Sequence, residues 1–347
     1  MPPARKRPAS ARRGRSAAED LARRARRGDQ AALSRALSLV IDESEGYEAL
    51  ARAFFSRHGR SHKIGLCGPP GSGKSSLISR LIGRFRGCRS GDGRGTARRR
   101  GCRVGVLAVD PTSPFTGGAF LGDRLRIQRH ALDEGVFMRS IASRGMVGGL
   151  NATIFAAVHV LEACGFDRIL IETVGTGQDE VDIAEVADTV VCVTAPYQGD
   201  EFQGMKAGMM EIGDLFAVNK ADLDEAGNAA AALREALGLG PTRRPDGCPG
   251  GYCWEPQVAA VSSKTGKGVG ELCALIDAHR DALRSSGEGL RRRRRQLRKE
   301  LALTVSRRIY RDIVERITER HIDMLLENKA DLLTIGKRLA RKGGRDW

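Results

Sequence analysis

The sequence predicts an α/β protein with a doubly wound, mostly parallel sheet and helical extensions at both ends. Short β-branched apolar runs alternate with segments of helical periodicity, and a glycine-rich turn follows the first run. The runs are apolar at successive positions, which indicates strands covered on both faces. Seven runs are predicted as strands: Ile64–Cys67, Val104–Val109, Val136–Met138, Arg168–Ile171, Thr189–Val193, Leu215–Val218 and Val258–Val261.

The same patterns divide the 347 residues into four parts. We expect a disordered basic tail over 1–19, a helical extension over 20–60, the α/β domain over 61–285 and a helical arm over 286–347. In the arm, apolar residues recur at every fourth position, so their stripe winds around the helix. Either a self-packing helix pair or an arm that embraces another subunit fits this stripe, which comprises Leu297, Leu301, Val305, Ile309, Ile313 and Ile317.

Composition excludes some classes of protein. No apolar run approaches the roughly 20 residues that span a bilayer, and the basic N-terminus lacks the apolar core of a secretory signal. The eight cysteines are scattered, which favours reduced thiols and a cytoplasmic location. The net charge of +16 is concentrated in tails and in the apolar-poor segment 86–103, without aromatic residues to stack bases. This distribution disfavours nucleic acid as a partner.

The first strand leads into a sequence that fits G-x-x-x-x-G-K-[ST], and a helical pattern follows it. In such a loop, successive N–H groups point at phosphate oxygens, the lysine adds a positive charge and the serine can ligate Mg²⁺. Glycine-rich turns are common in a chain with 43 glycines, but the strand–loop–helix setting indicates a nucleoside triphosphate site. Its predicted residues are Gly68, Pro69, Pro70, Gly71, Ser72, Gly73, Lys74, Ser75 and Ser76.

Asn219-Lys220-Ala221-Asp222 directly follows a later strand and predicts that the base is guanine. A carboxylate at Asp222 can accept hydrogen bonds from guanine N1–H and its amino group, whereas adenine leaves that carboxylate unpaired. Lys220 can lie along the base, and Asn219 can tie loops together. Ser262-Ser263-Lys264 follows the last strand, where a backbone N–H can reach guanine O6.

Acidic residues at two further strand ends are candidates for the metal and for hydrolysis. Glu172-Thr173-Val174-Gly175 stands where many GTPases carry D-x-x-G, and Asp110 follows the second strand. Either acid can meet Mg²⁺ or its water shell. Thr176, rather than glutamine, follows Gly175, so the usual residue that orients water is absent and slow intrinsic hydrolysis is predicted.

Four further stretches of the sequence form long motifs: Ala108–Arg124, Arg139–Leu150, Glu172–Asp188 and Tyr197–Asp222. Together they resemble the methylmalonyl-CoA mutase-associated GTPases of the MeaB, MMAA and ArgK type, within the SIMIBI class of P-loop GTPases. The resemblance runs from about Leu21 to at least Leu283.

The resemblance implies a GTP-hydrolysing chaperone that gates adenosylcobalamin loading into an acyl-CoA mutase and is stimulated by that mutase. The cobalamin would belong to the mutase, which could be the methylmalonyl-, ethylmalonyl-, isobutyryl- or hydroxyisobutyryl-CoA enzyme. A homodimer through the C-terminal arm is also implied. By matching motifs, Lys74 would stabilise γ-phosphate charge, and Ser75, Asp110, Asp123 and Glu172 would surround Mg²⁺. The implied switch residues are Gly175, Gln178, Asp200, Gln203 and Lys206.

The sequence gives weaker support to three other functions. A SIMIBI metallochaperone would need a metal-handling cluster, but the six histidines are dispersed. A basic GTPase that binds RNA or the ribosome would show an affinity that falls steeply with salt. A kinase or ATPase for basic amino-acid transport conflicts with the guanine-selecting Asn219–Asp222 element.

Overall fold

The computed structural model describes residues 9–44, 46–55, 60–87, 101–111, 130, 132–143, 149–173, 182–196, 207–239 and 254–341. The strands among them are β1 His62–Cys67, β2 Val104–Pro111, β3 Val136–Ser143, β4 Arg168–Glu172, β5 Thr189–Thr194, β6 Leu215–Val218 and β7 Gln257–Ala260. These seven strands are parallel and form one sheet in the order β3-β2-β4-β1-β5-β6-β7. The predicted doubly wound parallel fold is confirmed.

Helices cover both faces of the sheet, which explains why the strands are apolar at successive positions. In chain order, the described helices before residue 240 are α1 Ala9–Arg26, α2 Gln30–Ile41, α3 Tyr47–Phe55, α4 Lys74–Gly87, α5 Gly149–Ala163, α6 Ala207–Ile212 and α7 Ala226–Leu239. The described helices that follow are α8 Val269–Ser285, α9 Glu288–Val314, α10 Glu319–Leu326 and α11 Leu332–Arg341. One face of the sheet packs against α4 and α8, and a second apolar core on the opposite face contains residues of α1 to α3, α5, α6 and α7.

The N-terminal extension corrects one expectation. Helix α1 begins at Ala9, inside the segment 1–19 for which the sequence predicts a disordered tail. Ala18, Ala22 and Ala25 are buried where α1 packs against α2 and α3. Alanine is the strongest helix former, and this contact with two other helices supplies the burial that a solitary basic helix would lack.

The two ends of the apolar-poor segment 86–103 belong to the fold. Arg86, near the end of α4, donates two hydrogen bonds of 2.7 Å to the carboxylate of Asp133 and a third to the Cys102 carbonyl. Cys102 itself is buried. Residues 86–87 and 101–103 are therefore part of the fold, whereas residues 88–100 lie outside the described residues.

The C-terminal helix α9 is anchored to the α/β domain by its first turns. Arg292 makes a bidentate contact with the buried Asp214 at 2.8 and 2.9 Å, and the buried Gln296 donates to the carbonyls of Val186 and Ala187. Farther along α9 and just beyond it, apolar side chains are exposed, namely Leu301, Val305, Ile309, Tyr310, Val314 and Ile317. Among the described helices, none combines the length and apolar character that crossing a membrane requires.

Candidate nucleotide site

A cavity of about 610 Å³ opens where the sheet's carboxyl-end loops meet. Three stretches that are far apart in the sequence line it: the loop after β1, the Asn219–Leu223 segment after β6, and Ser263 with Lys264 after β7. Ala108, Val109, Glu172 and Thr173 complete the described lining from β2 and the end of β4. The carboxyl edge of a parallel sheet is where open α/β folds bind their ligands.

The loop after β1 takes a path that two of its glycines permit. Gly68 has φ of +141°, and a Cβ built there would lie 2.0 Å from the Val193 carbonyl oxygen. Gly73 has φ of +91°, and its Cβ would lie 2.2 Å from Nδ2 of Asn219. A Cβ at either position would collide with this neighbouring atom. The loop can therefore keep its path only if both residues are glycine.

Lys74 and Ser75 lie at the start of α4 with their side chains buried. The Lys74 ammonium donates to the carbonyls of Gly68 at 2.6 Å and Pro69 at 3.1 Å. The Ser75 hydroxyl donates to Oε1 of Glu172 at 2.6 Å, which leaves its oxygen lone pairs available to a cation. A hydroxyl and a carboxylate side by side at a helix N-terminus are hard oxygen donors that suit Mg²⁺.

The backbone of Asp110 lies near the carboxyl end of β2. Ala108, two residues earlier, is the register partner of Glu172 on β4, so Asp110 lies two residues closer to the carboxyl edge of the sheet than the Ala108–Glu172 pair. The predicted residues Asp123, Gly175, Gln178, Asp200, Gln203 and Lys206 lie outside the residues that the structure describes.

Asn219 joins the loop after β1 to the loop after β7. Its Nδ2 donates to the Ser72 carbonyl at 2.8 Å and contacts the Ser263 hydroxyl at 3.2 Å, while its Oδ1 accepts from the Ser263 N–H at 3.0 Å. The side chain is fully buried. This arrangement matches the tying function that the sequence suggests for Asn219.

Asp222 also lines the cavity, with one carboxylate oxygen held by Ser262. The Ser262 hydroxyl donates to Oδ1 at 2.6 Å, and this hydrogen bond holds the pKa of Asp222 below its ordinary value. Asp222 is therefore ionised at neutral pH, and its second oxygen keeps acceptor capacity. The adjacent Lys220 has φ of 60°, a left-handed conformation that is uncommon for residues other than glycine.

The structure also reveals residues that the sequence patterns do not mark. Leu223 lines the cavity directly after the predicted base element. Arg80 of α4 donates from Nε to the Ser263 carbonyl at 2.8 Å and from Nη2 to the Lys264 carbonyl. The apolar Leu223 could have been noticed because it directly follows the N-K-x-D sequence, whereas the bonds that Arg80 makes to described residues go to main-chain atoms and leave no pattern.

A glycine loop between strand and helix, with the Asp222 carboxylate in the same cavity at the sheet edge, is typical of a P-loop nucleoside triphosphatase. The family model for "Methylmalonyl Co-A mutase-associated GTPase MeaB" matches residues 33–318, most of the chain. The chain therefore belongs to this GTPase family, and the resemblance seen in the sequence motifs is confirmed. It is a GTP hydrolase.

Two relatives and one solved structure extend the comparison. A putative GTPase of Pyrococcus abyssi is 41% identical, over 88% of this chain and 93% of its own length. A mitochondrial methylmalonic aciduria type A homolog of Caenorhabditis elegans is 34% identical, over 76% of this chain and 61% of its own length. A crystal structure of a LAO/AO transport system kinase has 23% identity and a TM-score of 0.66, covering 95% of this chain and 98% of the other, which supports the fold.

Proposed function

We propose that the cavity binds GTP with its triphosphate on the loop Gly68–Ser76 and its guanine at Asp222. The observation that carries this proposal is the ionised Asp222 carboxylate, held by Ser262 and joined through Asn219 to the phosphate loop. Guanine presents two donors to such an acceptor, N1–H and the amino group. Adenine presents neither there, so binding ATP would desolvate the carboxylate without replacing its hydrogen bonds.

For hydrolysis, we assign Lys74 to the γ-phosphate charge, and Ser75 and Glu172 to Mg²⁺, together with Asp110 and Asp123. Mg²⁺, when bound, neutralises charge on the β- and γ-phosphate oxygens. The Ser75–Glu172 hydrogen bond supports this assignment because it holds two hard oxygen donors at the start of α4. Thr176 follows Gly175 where a water-orienting glutamine would stand, so we expect slow turnover without a partner.

We further propose that the GTPase serves an adenosylcobalamin-dependent acyl-CoA mutase of the methylmalonyl-CoA type. The family description and the C. elegans relative support this partner. The proposed chaperone uses GTP to gate cofactor loading and to protect or reactivate the mutase. Gly175, Gln178, Asp200, Gln203 and Lys206 are its proposed switch residues.

The exposed apolar residues of the C-terminal arm support a homodimer. Leu301, Val305 and Ile309 lie on successive turns of α9 and remain 65%, 38% and 40% exposed in the single chain. The self-packing helix pair that the sequence left open would have covered them. A second copy of the arm would remove this apolar surface from water.

Two measurements, made one after the other, test the proposed function. Titration with GDP and ADP comes first, and we expect a preference for GDP on the order of 10⁴-fold because the Asp222 carboxylate stays unpaired with adenine. ADP binding as tight as GDP binding would contradict the base assignment.

The second measurement follows adenosylcobalamin absorbance as the cofactor is transferred to the apo-mutase in the presence of this protein. We expect loading with GTP to differ from loading with a non-hydrolysable GTP analogue, because hydrolysis gates the transfer. Identical loading with both nucleotides would contradict the gating proposal while leaving the nucleotide site intact.

A further inference from the structure

Arg80 joins the helix that follows the phosphate loop to the loop proposed to hold the base. It lies on α4, and its guanidinium donates to two successive carbonyls, those of Ser263 and Lys264. The Nε–O distance to Ser263 is 2.8 Å. Arginine presents its donors in a rigid fork, so one side chain fixes both peptide groups against α4.

The orientation of these carbonyls determines where the next N–H points. The Ser263–Lys264 peptide is trans, so its C=O and N–H point in opposite directions. Because Arg80 holds the Ser263 carbonyl toward α4, the Lys264 N–H points away from that helix. Lys264 lines the nucleotide cavity in the same loop as Ser263.

Only one of the two neighbouring N–H groups in this loop remains available for a ligand. The Ser263 N–H already donates to Oδ1 of Asn219 at 3.0 Å. The Lys264 N–H makes no hydrogen bond to any residue that the structure describes. The sequence motif alone does not distinguish these two donors.

We propose that Arg80 is a positioning residue for guanine recognition, which turns the Lys264 N–H toward the 6-oxo group of the base. This inference rests on the proposed function, since it requires guanine at Asp222. Guanine O6 accepts a hydrogen bond, whereas the 6-amino group of adenine is a donor and would oppose the Lys264 N–H. Asp222 would then accept hydrogen bonds from N1–H and the amino group of guanine, and the Lys264 N–H would donate to O6 on the same edge of the base.

The test compares Arg80→Ala and Arg80→Lys with Arg84→Ala, an exposed arginine one turn later on the same helix. The affinities of each protein for GDP, 6-thio-GDP and IDP are measured. The thio analogue replaces only the 6-oxo acceptor, and IDP lacks only the amino group that Asp222 reads. Thermal unfolding of each variant serves as the folding control.

We expect wild type to prefer GDP over both analogues. Arg80→Ala should weaken GDP binding about tenfold, shrink the preference over 6-thio-GDP toward one, and leave the preference over IDP unchanged. The KM for GTP should rise by a similar factor with a much smaller change in kcat. Arg80→Lys should resemble Arg80→Ala because it lacks the fork, and Arg84→Ala should resemble wild type.

An equal loss of affinity for all three nucleotides in Arg80→Ala would overturn the inference, because Arg80 would then act only on the loop's stability. An unchanged preference over 6-thio-GDP would overturn it as well. Failure of the proposed function itself looks different: wild type would bind ADP as well as GDP. The GDP and ADP titrations of wild type therefore separate the two failures.

Discussion

Asp222 is the residue that we propose selects the base, because its carboxylate can accept two hydrogen bonds from guanine and none from adenine. The Ser262 hydroxyl engages one oxygen and lowers the pKa of the carboxyl group. Asp222→Asn replaces an acceptor with a side chain that also donates. We therefore expect GTP affinity to fall on the order of 10²-fold or more, and affinity for XTP to rise because xanthine carries a 2-oxo acceptor in place of the amino group.

Competition titrations of wild type and Asp222→Asn with GTP and XTP check this prediction. The exposed Asp224→Asn, two residues later, is the matched control and should keep the wild-type order of affinities. A variant at Asp222 that still prefers GTP would show that another group reads the base.

Lys74 is the cation of the phosphate loop, and its ammonium is held by the Gly68 and Pro69 carbonyls. Lys74→Ala removes the charge that we assign to the γ-phosphate, so GTP hydrolysis should fall below detection while circular dichroism stays that of the folded protein. Lys267→Ala, at an exposed lysine after β7, should hydrolyse GTP at the wild-type rate. Wild-type turnover by Lys74→Ala would refute the assigned role.

At the scale of elements, α9 is joined to α5 by a buried histidine. His159 of α5 contacts Oε1 of Glu300 on α9 at 2.7 Å and lies 3.8 Å from Oε2 of Glu162, with the Phe55 ring packed edge-on against it. Burial opposes the charged imidazolium, but the two carboxylates outweigh it and raise the pKa of His159. The contact between the arm and the α/β domain is therefore linked to pH.

The sign of this linkage follows from the raised pKa. The folded state binds the His159 proton more tightly than the unfolded state. The contribution of this proton to the free energy of unfolding is therefore complete below about pH 6.5, and it is lost as pH rises through the pKa of His159 in the folded state. As pH rises from about 6.5 through the folded pKa, we expect the urea midpoint of wild type to fall more steeply than that of Glu300→Gln, which lacks the carboxylate charge next to His159. Glu235→Gln, at an exposed glutamate of α7, should retain the wild-type slope. Parallel profiles for wild type and Glu300→Gln would contradict this assignment.

At the scale of the whole molecule, the exposed arm predicts a dimer. Leu301→Asp together with Ile309→Asp places two charges on the apolar surface, so the protein should sediment as a monomer at micromolar concentration. Leu132→Asp changes an equally apolar, 97% exposed residue outside the arm and should leave the assembly unchanged. A monomeric wild type, or a dimer that tolerates both charges, would contradict the dimerisation proposal.

Much of the fold could be predicted because its signals are local. Continuous apolar runs marked the strands, and the loop Gly68–Ser75 marked one end of the cavity. The start of α1 was missed because an Arg- and Ala-rich segment resembles a disordered tail until its alanines meet α2 and α3.

The role of Arg80 illustrates what sequence reasoning could not reach at the site. Its two acceptors are main-chain carbonyls 183 and 184 residues away, and main-chain acceptors carry no residue-type signal. The Ser262–Lys264 motif predicted that a backbone N–H would meet the base, but only the fold shows that Asn219 already engages the Ser263 N–H.

GTP turnover with and without a purified acyl-CoA mutase is the measurement that tests the central claim most directly. We predict slow turnover by the protein alone and faster turnover when the methylmalonyl-CoA mutase-type partner is added, with no turnover by Lys74→Ala under either condition. Turnover that stays unchanged with the methylmalonyl-, ethylmalonyl-, isobutyryl- and hydroxyisobutyryl-CoA mutases would contradict the proposed chaperone function.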